Sequence, residues 1–176
     1  REKIGVLYSA KSKKQKTQIV KLVLTNPQIM HVEKVISGGE TGVDRAALDV
    51  ALNLEIPCGG YCPSGRWAED GPIEEKYPLI ETEEKAIEVR TGRNVVSSDG
   101  TLILLVGEPD HGTRFTLTMV RKQKRPIRII DLDAKKSNYE EIATWIQAEG
   151  IKTLNIAGPR ESSVPGIYDK AANWLS

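Results

Sequence analysis

Residues 32–54 read VEKVISGGETGVDRAALDVALNL, and this stretch indicates the fold class. It begins with an apolar run, passes through a glycine-rich turn at residues 37–42, and continues with apolar residues at helical spacing. A strand, a tight turn and a helix in this order are the repeating unit of an α/β protein. The stretch therefore predicts a strand at 32–37 and a helix at 43–54.

The same alternation runs along the rest of the chain. Apolar runs predict strands at 4–8, 32–37, 57–61, 101–106, 127–131 and 153–157. Helical patterns fill residues 13–24, 43–54, 83–89, 114–123, 139–148 and 165–175. Because strands and helices alternate, we expect an α/β, Rossmann-like fold, with a mostly parallel sheet and helices on both faces.

Length and composition restrict the class of protein further. The chain has 176 residues, so we expect a single domain. Its net charge is +1, so we expect no overall electrostatic field that would favour nucleic acid or a membrane surface. The one basic run, residues 11–16, is typical of a solvated helix start, with a polyanion patch as the alternative. No run approaches the roughly 20 apolar residues of a membrane span. With no signal peptide recognised, a cytoplasmic location is expected.

The two cysteines, Cys58 and Cys62, do not predict a disulfide. Four residues apart on a predicted strand, they would lie roughly 13 Å from each other, which is beyond disulfide reach. Both are therefore expected to be free thiols on one face of the strand. Such a position permits a metal or oxidation role for one of them, although Cys58 better fits a small buried hydrophobic residue.

The glycine-rich turn itself predicts an anion site. Glycine at positions 38, 39 and 42 lets the backbone adopt positive φ and approach a ligand closely, and the N-terminus of the following helix attracts an oxyanion. The spacing G-G-x-x-G is neither a P-loop nor the dinucleotide fingerprint. A tight turn that binds nothing is the structural alternative.

Further polar loops follow the other predicted strands. Ligands of open parallel sheets bind beyond the carboxyl ends of the strands, so loops at that edge are candidates. Five such loops carry glycine, acidic or basic residues, at 38–45, 62–71, 107–113, 131–133 and 158–162. The repeated pairing of glycine with Thr, Ser or Arg indicates a ligand with an anionic group.

Six segments in this order resemble a known family. They are SGGETGVDRAALDVAL, GGYCPSGRWAEDGPI, RTGRNVVSSDGTLIL, HGTRFTLT, DLD and NIAGPRESSVPGIYDKA. Together they resemble the molybdenum cofactor (Moco) carrier family, part of a Rossmann-like superfamily that includes the Lonely Guy, or lysine-decarboxylase-like, proteins. The resemblance covers residues 33–175. Residues 1–31 lie outside it and are predicted to add a strand and a helix.

The resemblance implies a binding protein and not an enzyme. Its expected ligand is Moco (molybdopterin with its molybdenum) or molybdate, which the protein would store, protect and hand to apo-molybdoenzymes such as nitrate reductase. The resemblance also implies a homo-oligomer, and neither nucleic acid nor a membrane is an expected partner.

Physical chemistry assigns candidate roles to residues in the matching segments. The ligand phosphate fits the amides of the glycine turn or of Gly112 and Thr113, and Arg66 and Arg160 can neutralise oxyanions. A pterin edge needs a carboxylate, for which Asp44, Asp131 and Asp133 are candidates. The resemblance adds Thr91 and Asn94, which match the family's pattern and would share a helix face toward the site. The predicted ligand-binding residues are Gly38, Gly39, Thr41, Gly42, Asp44, Arg45, Arg66, Thr91, Asn94, Gly112, Thr113, Asp131, Asp133, Gly158, Arg160 and Ser162. No catalytic residue and no protein-held metal are predicted.

Several of these residues have structural alternatives. The helix dipole favours Asp44 without a ligand, and Arg160 can pair with Glu161 or with a chain terminus. One of Asp131 and Asp133 can cap a helix, and Thr91 and Asn94 can cap at the surface. Trp67 can stack on a pterin or simply pack. His111 is one of only two histidines in the chain, and two are too few for a histidine-rich metal site.

The main alternative function is enzymatic. Lonely Guy proteins hydrolyse nucleoside monophosphates with a P-G-G-x-G-T-x-x-E motif whose glutamate assists catalysis. The nearest match here is Asp110-His-Gly-Thr113, and its glutamate position holds Thr116. Threonine is no general acid or base near neutral pH, so this activity would need another carboxylate, such as Asp44 or Glu40. A nucleotide-binding protein without chemistry is the third possibility.

Overall fold

The computed structural model describes residues 32–134 and 139–176. In chain order, their elements are β1 (Lys34–Ile36), α1 (Val43–Asn53), β2 (Cys58–Cys62), β3 (Trp67–Ala68), β4 (Gly71–Pro72), β5 (Leu79–Glu81), α2 (Ile87–Val96), β6 (Gly100–Leu105), α3 (His111–Lys122), β7 (Ile127–Asp131), α4 (Tyr139–Glu149), β8 (Thr153–Ala157) and α5 (Ile167–Leu175).

Six of the strands form one parallel sheet, in the order β5-β2-β1-β8-β6-β7. The chain moves from β1 to β2 on one side and from β6 to β7 on the other, and β8 is then inserted between β1 and β6. This arrangement confirms the predicted α/β, Rossmann-like fold. It also creates a crevice at the carboxyl edge, where loops that diverge to opposite sides of the sheet separate.

Helices cover both faces of the sheet because the strand side chains alternate. On β6, Leu102 and Leu104 join the main core, in which α1, α4 and α5 pack. Ile103 and Leu105 point the other way and contact Leu117 of α3. A strand that is apolar at successive positions is therefore buried on both sides, as the sequence predicted.

Helix α1 shows how the local pattern specifies packing. Val43, Ala46, Ala47, Val50 and Ala51 are spaced so that they form one stripe, and all five are buried in the main core. Small residues at three of these positions let the helix lie close to the sheet and to α5. None of the described helices is long and apolar enough to cross a membrane.

Most of the predicted elements that fall on described residues are present, with end shifts of a few residues. The strands at 127–131 and 153–157 have the predicted bounds. The prediction of a helix at 83–89 was wrong in its limits, because α2 instead spans Ile87–Val96 and its position is set by burial of Thr91, Asn94 and Val95. The predictions for residues 1–31, including the basic run, lie outside the described residues.

Three short strands were missed. β5 has three residues and pairs with β2 at the edge of the sheet, and β3 and β4 form a small antiparallel hairpin. Runs of two or three residues have too few positions for a periodic pattern, so only pairing with a neighbouring strand reveals them.

Candidate functional site

A cavity of about 310 Å³ lies at the carboxyl edge of the sheet, beside the N-terminus of α3. Its walls come from the first turns of α2, from the N-terminal end of α3 and from the segment that follows β8. The lining residues are Ile87, Glu88, Thr91, Asp110, His111, Gly112, Phe115, Arg160, Ser162 and Ser163. Four of the predicted ligand-binding residues, Thr91, Gly112, Arg160 and Ser162, therefore meet here.

The cavity has a positive and hydrogen-bonding side. Arg160 contributes a guanidinium, Ser162 and Ser163 contribute hydroxyls, and Gly112 lies in the first turn of α3, where the helix dipole is positive. Asp110 caps α3 by accepting a hydrogen bond from the Thr113 backbone N–H at 2.8 Å. The cap leaves His111 and Gly112 exposed at the cavity.

The carboxylate of Asp110 is ionised at neutral pH. Burial alone would raise its pKa, but hydrogen bonds from Thr113 and Ser163 and the nearby charge of Arg160 lower the pKa overall. The cavity thus presents a carboxylate as well as a guanidinium. It can accept hydrogen bonds from N–H groups at one position and neutralise an oxyanion at another.

The opposite side of the cavity is partly apolar. Ile87 and Phe115 line it, and Glu88 stands beside Ile87 in the first turn of α2. Thr91 is three residues from Glu88 and four from Ile87, so these side chains share one face of the helix. A planar ring can lie against Phe115 and Ile87 while its polar edge meets a carboxylate.

The glycine turn is packed against protein groups. Gly38, Gly39 and Gly42 are buried, and φ is 77° at Gly39 and 73° at Gly42, values that favour glycine. A Cβ atom at Gly38 would lie 1.6 Å from Arg90 Nη1, and one at Gly42 would lie 2.5 Å from the Pro159 carbonyl oxygen. The turn therefore needs glycine for close packing, and its residues are not among those that line the cavity.

Asp44 forms a buried ion pair directly beneath this turn. Its Oδ2 accepts a hydrogen bond from Arg90 Nη1 at 2.9 Å, and the two side chains are only 4% and 11% exposed. Burial raises the pKa of Asp44, and the charge of Arg90 opposes that rise. Asp44 thus links α1 to α2.

Two predicted arginines are also engaged with protein groups. Arg45 donates to the Gly39 carbonyl and pairs with Asp70 at 3.2 Å. Arg66 donates to the backbone carbonyls that shape the segment between the hairpin and β5, those of Ile73, Glu74, Tyr77 and Leu79. In this arrangement both guanidinium groups organise loops.

Two other predicted residues make backbone contacts. The Asn94 side chain binds both the N–H and the carbonyl of Tyr61, at 2.8 and 3.1 Å, which attaches α2 to β2. Gly158 is where α1 approaches β6, because a Cβ there would lie 2.1 Å from the Leu104 carbonyl oxygen and 2.7 Å from Val43 Cγ2. Thr113 is buried in the first turn of α3.

Asp131 and Asp133 are placed apart from the other candidates. Asp131 lines a second cavity of about 320 Å³, together with Tyr139, Lys170 and Trp174. Its Oδ1 accepts a hydrogen bond from the Asp133 N–H at 3.0 Å, and Asp133 pairs with Lys170 of α5. Asp131 is the last residue of β7, the edge strand farthest from β1, and Asp133 follows it by two residues.

One side chain, Glu69, contacts three of the predicted ligand-binding residues, Thr41, Arg160 and Ser162. Thr41 Oγ1 and Ser162 Oγ both donate to its carboxylate, the Ser162 N–H donates at 3.0 Å, and Arg160 Nη1 lies 3.8 Å away. Arg160 pairs with Glu69 and not with Glu161, whose carboxylate accepts hydrogen bonds from the Gly166 and Tyr168 amides at the start of α5.

Sequence reasoning missed several residues of this region as ligand candidates, namely Glu69, Ile87, Glu88, Asp110, Phe115 and Ser163. For Ile87 and Glu88 a signal was present, since both stand one helical turn before Thr91. Phe115 stands three residues after Gly112 and is the only phenylalanine of the chain. Glu69 had no such signal, because it reaches its partners only through the tertiary fold.

Both cysteines are free, as predicted. Cys62 is buried and Cys58 is half-buried, and burial raises the pKa of each thiol. A raised pKa keeps a thiol protonated and poorly nucleophilic near neutral pH. Within residues 32–134 and 139–176, no group of three or more His, Cys, Asp or Glu side chains is arranged to hold a metal ion.

Comparison with known proteins gives two matches to this chain. Residues 35–176 match the profile of the circularly permutated YpsA SLOG family, cpYpsA. A solved structure from Syntrophus aciditrophicus SB, described as a "Putative molybdenum carrier protein", is 42% identical, with a TM-score of 0.79 over 82% of this chain and 92% of that one. No curated protein matches the sequence.

Proposed function

Since the chain belongs to the circularly permutated YpsA SLOG family, we propose that it is a carrier that binds molybdenum cofactor in the cavity beside α3. The description of the similar Syntrophus protein as a "Putative molybdenum carrier protein" supports this ligand class. In this proposal, the protein stores the cofactor, protects it and hands it to apo-molybdoenzymes. The observation that carries the proposal is that Arg160, Ser162 and the N-terminus of α3 face one cavity together with Phe115.

The anionic end of the cofactor would be held by Arg160, the hydroxyls of Ser162 and Ser163, and the first turn of α3. A guanidinium and a helix N-terminus both favour a phosphate or a molybdenum-bound oxygen. Arg160 is available for this role because its side chain is about one-third exposed.

The pterin end would lie against Phe115 and Ile87. Its amino and ring N–H groups need acceptors, and the carboxylates of Glu88 and Asp110 line the same cavity. The lowered pKa of Asp110 keeps that carboxylate ionised, so it accepts hydrogen bonds at neutral pH. These two residues replace Asp44, Asp131 and Asp133 as our candidates for the pterin edge.

Cofactor transfer tests this proposal. We expect the protein to retain released molybdenum cofactor in equilibrium dialysis and then to restore activity to a cofactor-deficient nitrate reductase. Pterin fluorescence and molybdenum content of the dialysed protein measure retention independently of the acceptor enzyme. Absence of both retained pterin and restored activity would contradict the proposal.

The alternative to a carrier is a nucleotide hydrolase, and it is disfavoured because Thr116 occupies the position of the catalytic glutamate. Thr116 is buried in α3, and its Oγ1 donates to the Gly112 carbonyl at 3.1 Å. The hydroxyl is therefore engaged with the helix backbone and cannot replace a catalytic glutamate. The cavity still suits a nucleotide as a ligand, since a nucleotide also combines a phosphate with a planar ring.

We expect no phosphoribohydrolase activity on AMP. General acid-base assistance is typically worth about 10²–10⁴ in rate, so without it the release of adenine should stay near background even if AMP binds. Chromatography of the free base, at high protein concentration, measures this. Steady adenine release that disappears in Asp44→Asn or Glu40→Gln would show that one of these carboxylates acts instead, and the enzymatic function would then be favoured.

A further inference from the structure

Glu69 occupies a place that is built for an anion. Its carboxylate accepts hydrogen bonds from the hydroxyl of Thr41 and from both the N–H and the hydroxyl of Ser162, with the Arg160 guanidinium at 3.8 Å. The donors come from the loop after β1 and the loop after β8, so the fold assembles them at the carboxyl edge of the sheet. Two hydroxyls, an amide and a guanidinium form a donor set that also suits phosphate or molybdate.

This place adjoins the cavity. Arg160 and Ser162 line the cavity and also contact Glu69, so a ligand in the cavity is within reach of three of the four donor groups that now hold the carboxylate. Burial would raise the pKa of Glu69, but the hydrogen bonds from Ser162 and Thr41 lower it overall. The carboxylate is therefore an anion that these donors stabilise.

Glu69 belongs to a segment whose two short strands pair only with each other in the described structure. It lies in the turn of the β3–β4 hairpin, which is separate from the six-stranded sheet. The described contacts of this turn with the rest of the protein include the Glu69 N–H donating to Glu40 at 2.9 Å and Asp70 pairing with Arg45 at 3.2 Å. Trp67, on β3, is 58% exposed. Such polar attachments can exchange for equivalent ones more easily than a buried apolar contact.

We propose that Thr41, Arg160 and Ser162 form an oxyanion subsite that Glu69 fills, and that an oxyanion of the ligand replaces the Glu69 carboxylate and releases the hairpin turn. The inference rests on the proposed function for the location of the ligand. It adds a competing internal anion and a moving segment. Binding then requires displacement of a negative charge that belongs to the protein.

The first test removes the competing charge. We expect Glu69→Gln to bind inorganic phosphate and molybdate about tenfold more tightly than the unmodified protein in equilibrium dialysis, because the neutral amide competes less for charge-assisted donors. Glu75→Gln is the matched control, since Glu75 is a highly exposed glutamate between the hairpin and β5. Its affinity should equal that of the unmodified protein. Equal or weaker binding by Glu69→Gln would overturn the proposal.

A second variant verifies that the gain arises at this subsite. In the Glu69→Gln background, Ser162→Ala removes one hydroxyl donor, and we expect most of the gain in phosphate affinity to be lost. A gain that persists in the double variant would place the bound phosphate elsewhere and would contradict the subsite.

The third measurement needs no change at Glu69. Trp67 is two residues from Glu69, so release of the turn should alter its fluorescence when phosphate is added to the unmodified protein. Trp67→Phe identifies the signal, because Trp145 and Trp174 remain. Saturating phosphate, verified by dialysis, without a Trp67-dependent change would contradict the release of the hairpin.

These outcomes are distinct from failure of the carrier function. If Glu69 controls phosphate and molybdate binding but molybdenum cofactor is not retained, the subsite is supported and the cofactor proposal is contradicted. If the cofactor is retained with equal affinity in Glu69→Gln and the unmodified protein, the carrier function stands and the competing carboxylate is contradicted.

Discussion

Arg90→Met is expected to lower the free energy of unfolding by about 3–5 kcal/mol at pH 7, the range typical of breaking a buried ion pair. Asp44 would remain in place with its carboxylate almost fully buried and its partner removed. The long apolar side chain of methionine fills part of the space, so the loss comes mainly from the unpaired charge and less from a cavity. Urea denaturation measures the effect.

The loss should depend on pH in a defined direction. Burial already raises the pKa of Asp44 with Arg90 beside it, and removal of Arg90 takes away an interaction that lowers it. A carboxyl group whose pKa is higher in the folded state binds more protons there, so its contribution to stability decreases as the pH rises. The difference between Arg90→Met and the unmodified protein should therefore shrink when the pH is lowered toward the raised pKa of Asp44.

Two further variants control this experiment. Arg93→Met removes an exposed arginine from the same helix, where the described contact is a cation–π interaction with Tyr61 at 5.7 Å, and should cost less than about 1 kcal/mol. The double variant Asp44→Asn, Arg90→Met removes both charges and should recover part of the loss. If Arg90→Met costs no more than Arg93→Met, the buried pair does not stabilise the link between α1 and α2.

Arg160→Gln is expected to weaken binding of molybdenum cofactor by about 10-fold to 100-fold. A lost hydrogen bond to a charged group is typically worth about 1.5–3 kcal/mol, and each 1.4 kcal/mol is a factor of ten in affinity. Glutamine keeps a polar side chain, but it is shorter than arginine and has no charge to neutralise a phosphate. Equilibrium dialysis with released cofactor, quantified by pterin fluorescence, measures the change.

Arg121→Gln is the matched control for this prediction. Arg121 is exposed in the last turn of α3, at the opposite end of the helix from the cavity. The Arg121→Gln variant should bind the cofactor with the affinity of the unmodified protein. Arg121→Gln and Arg160→Gln should unfold at similar urea concentrations. If Arg160→Gln binds the cofactor with unchanged affinity, Arg160 is not part of the cofactor site. A loss in Arg45→Gln instead would move the anion site to the glycine turn.

The predicted site residues divide according to what each prediction used. Gly112, Arg160 and Ser162 were placed at the carboxyl edge by the order of strands and helices, whereas Thr91 was predicted from the family resemblance. All four line the cavity. The glycine turn was predicted from residue type and local spacing, which specify that glycine is needed. Spacing does not specify which group lies close to the glycine backbone. That group can be a ligand, but at Gly38 it is the side chain of Arg90.

The α/β class, most element positions and the edge of the sheet at which polar loops meet can be predicted from the sequence alone. Apolar periodicity is a local property of each element, so residues within a few turns of one another are enough to define it. Long-range packing specifies which loops share a cavity, separates Asp131 and Asp133 from the other candidates, and brings Glu69 to Ser162 across 93 residues of chain. Such meetings depend on strand order and helix packing, where many distant contacts act together and no short stretch of sequence records them.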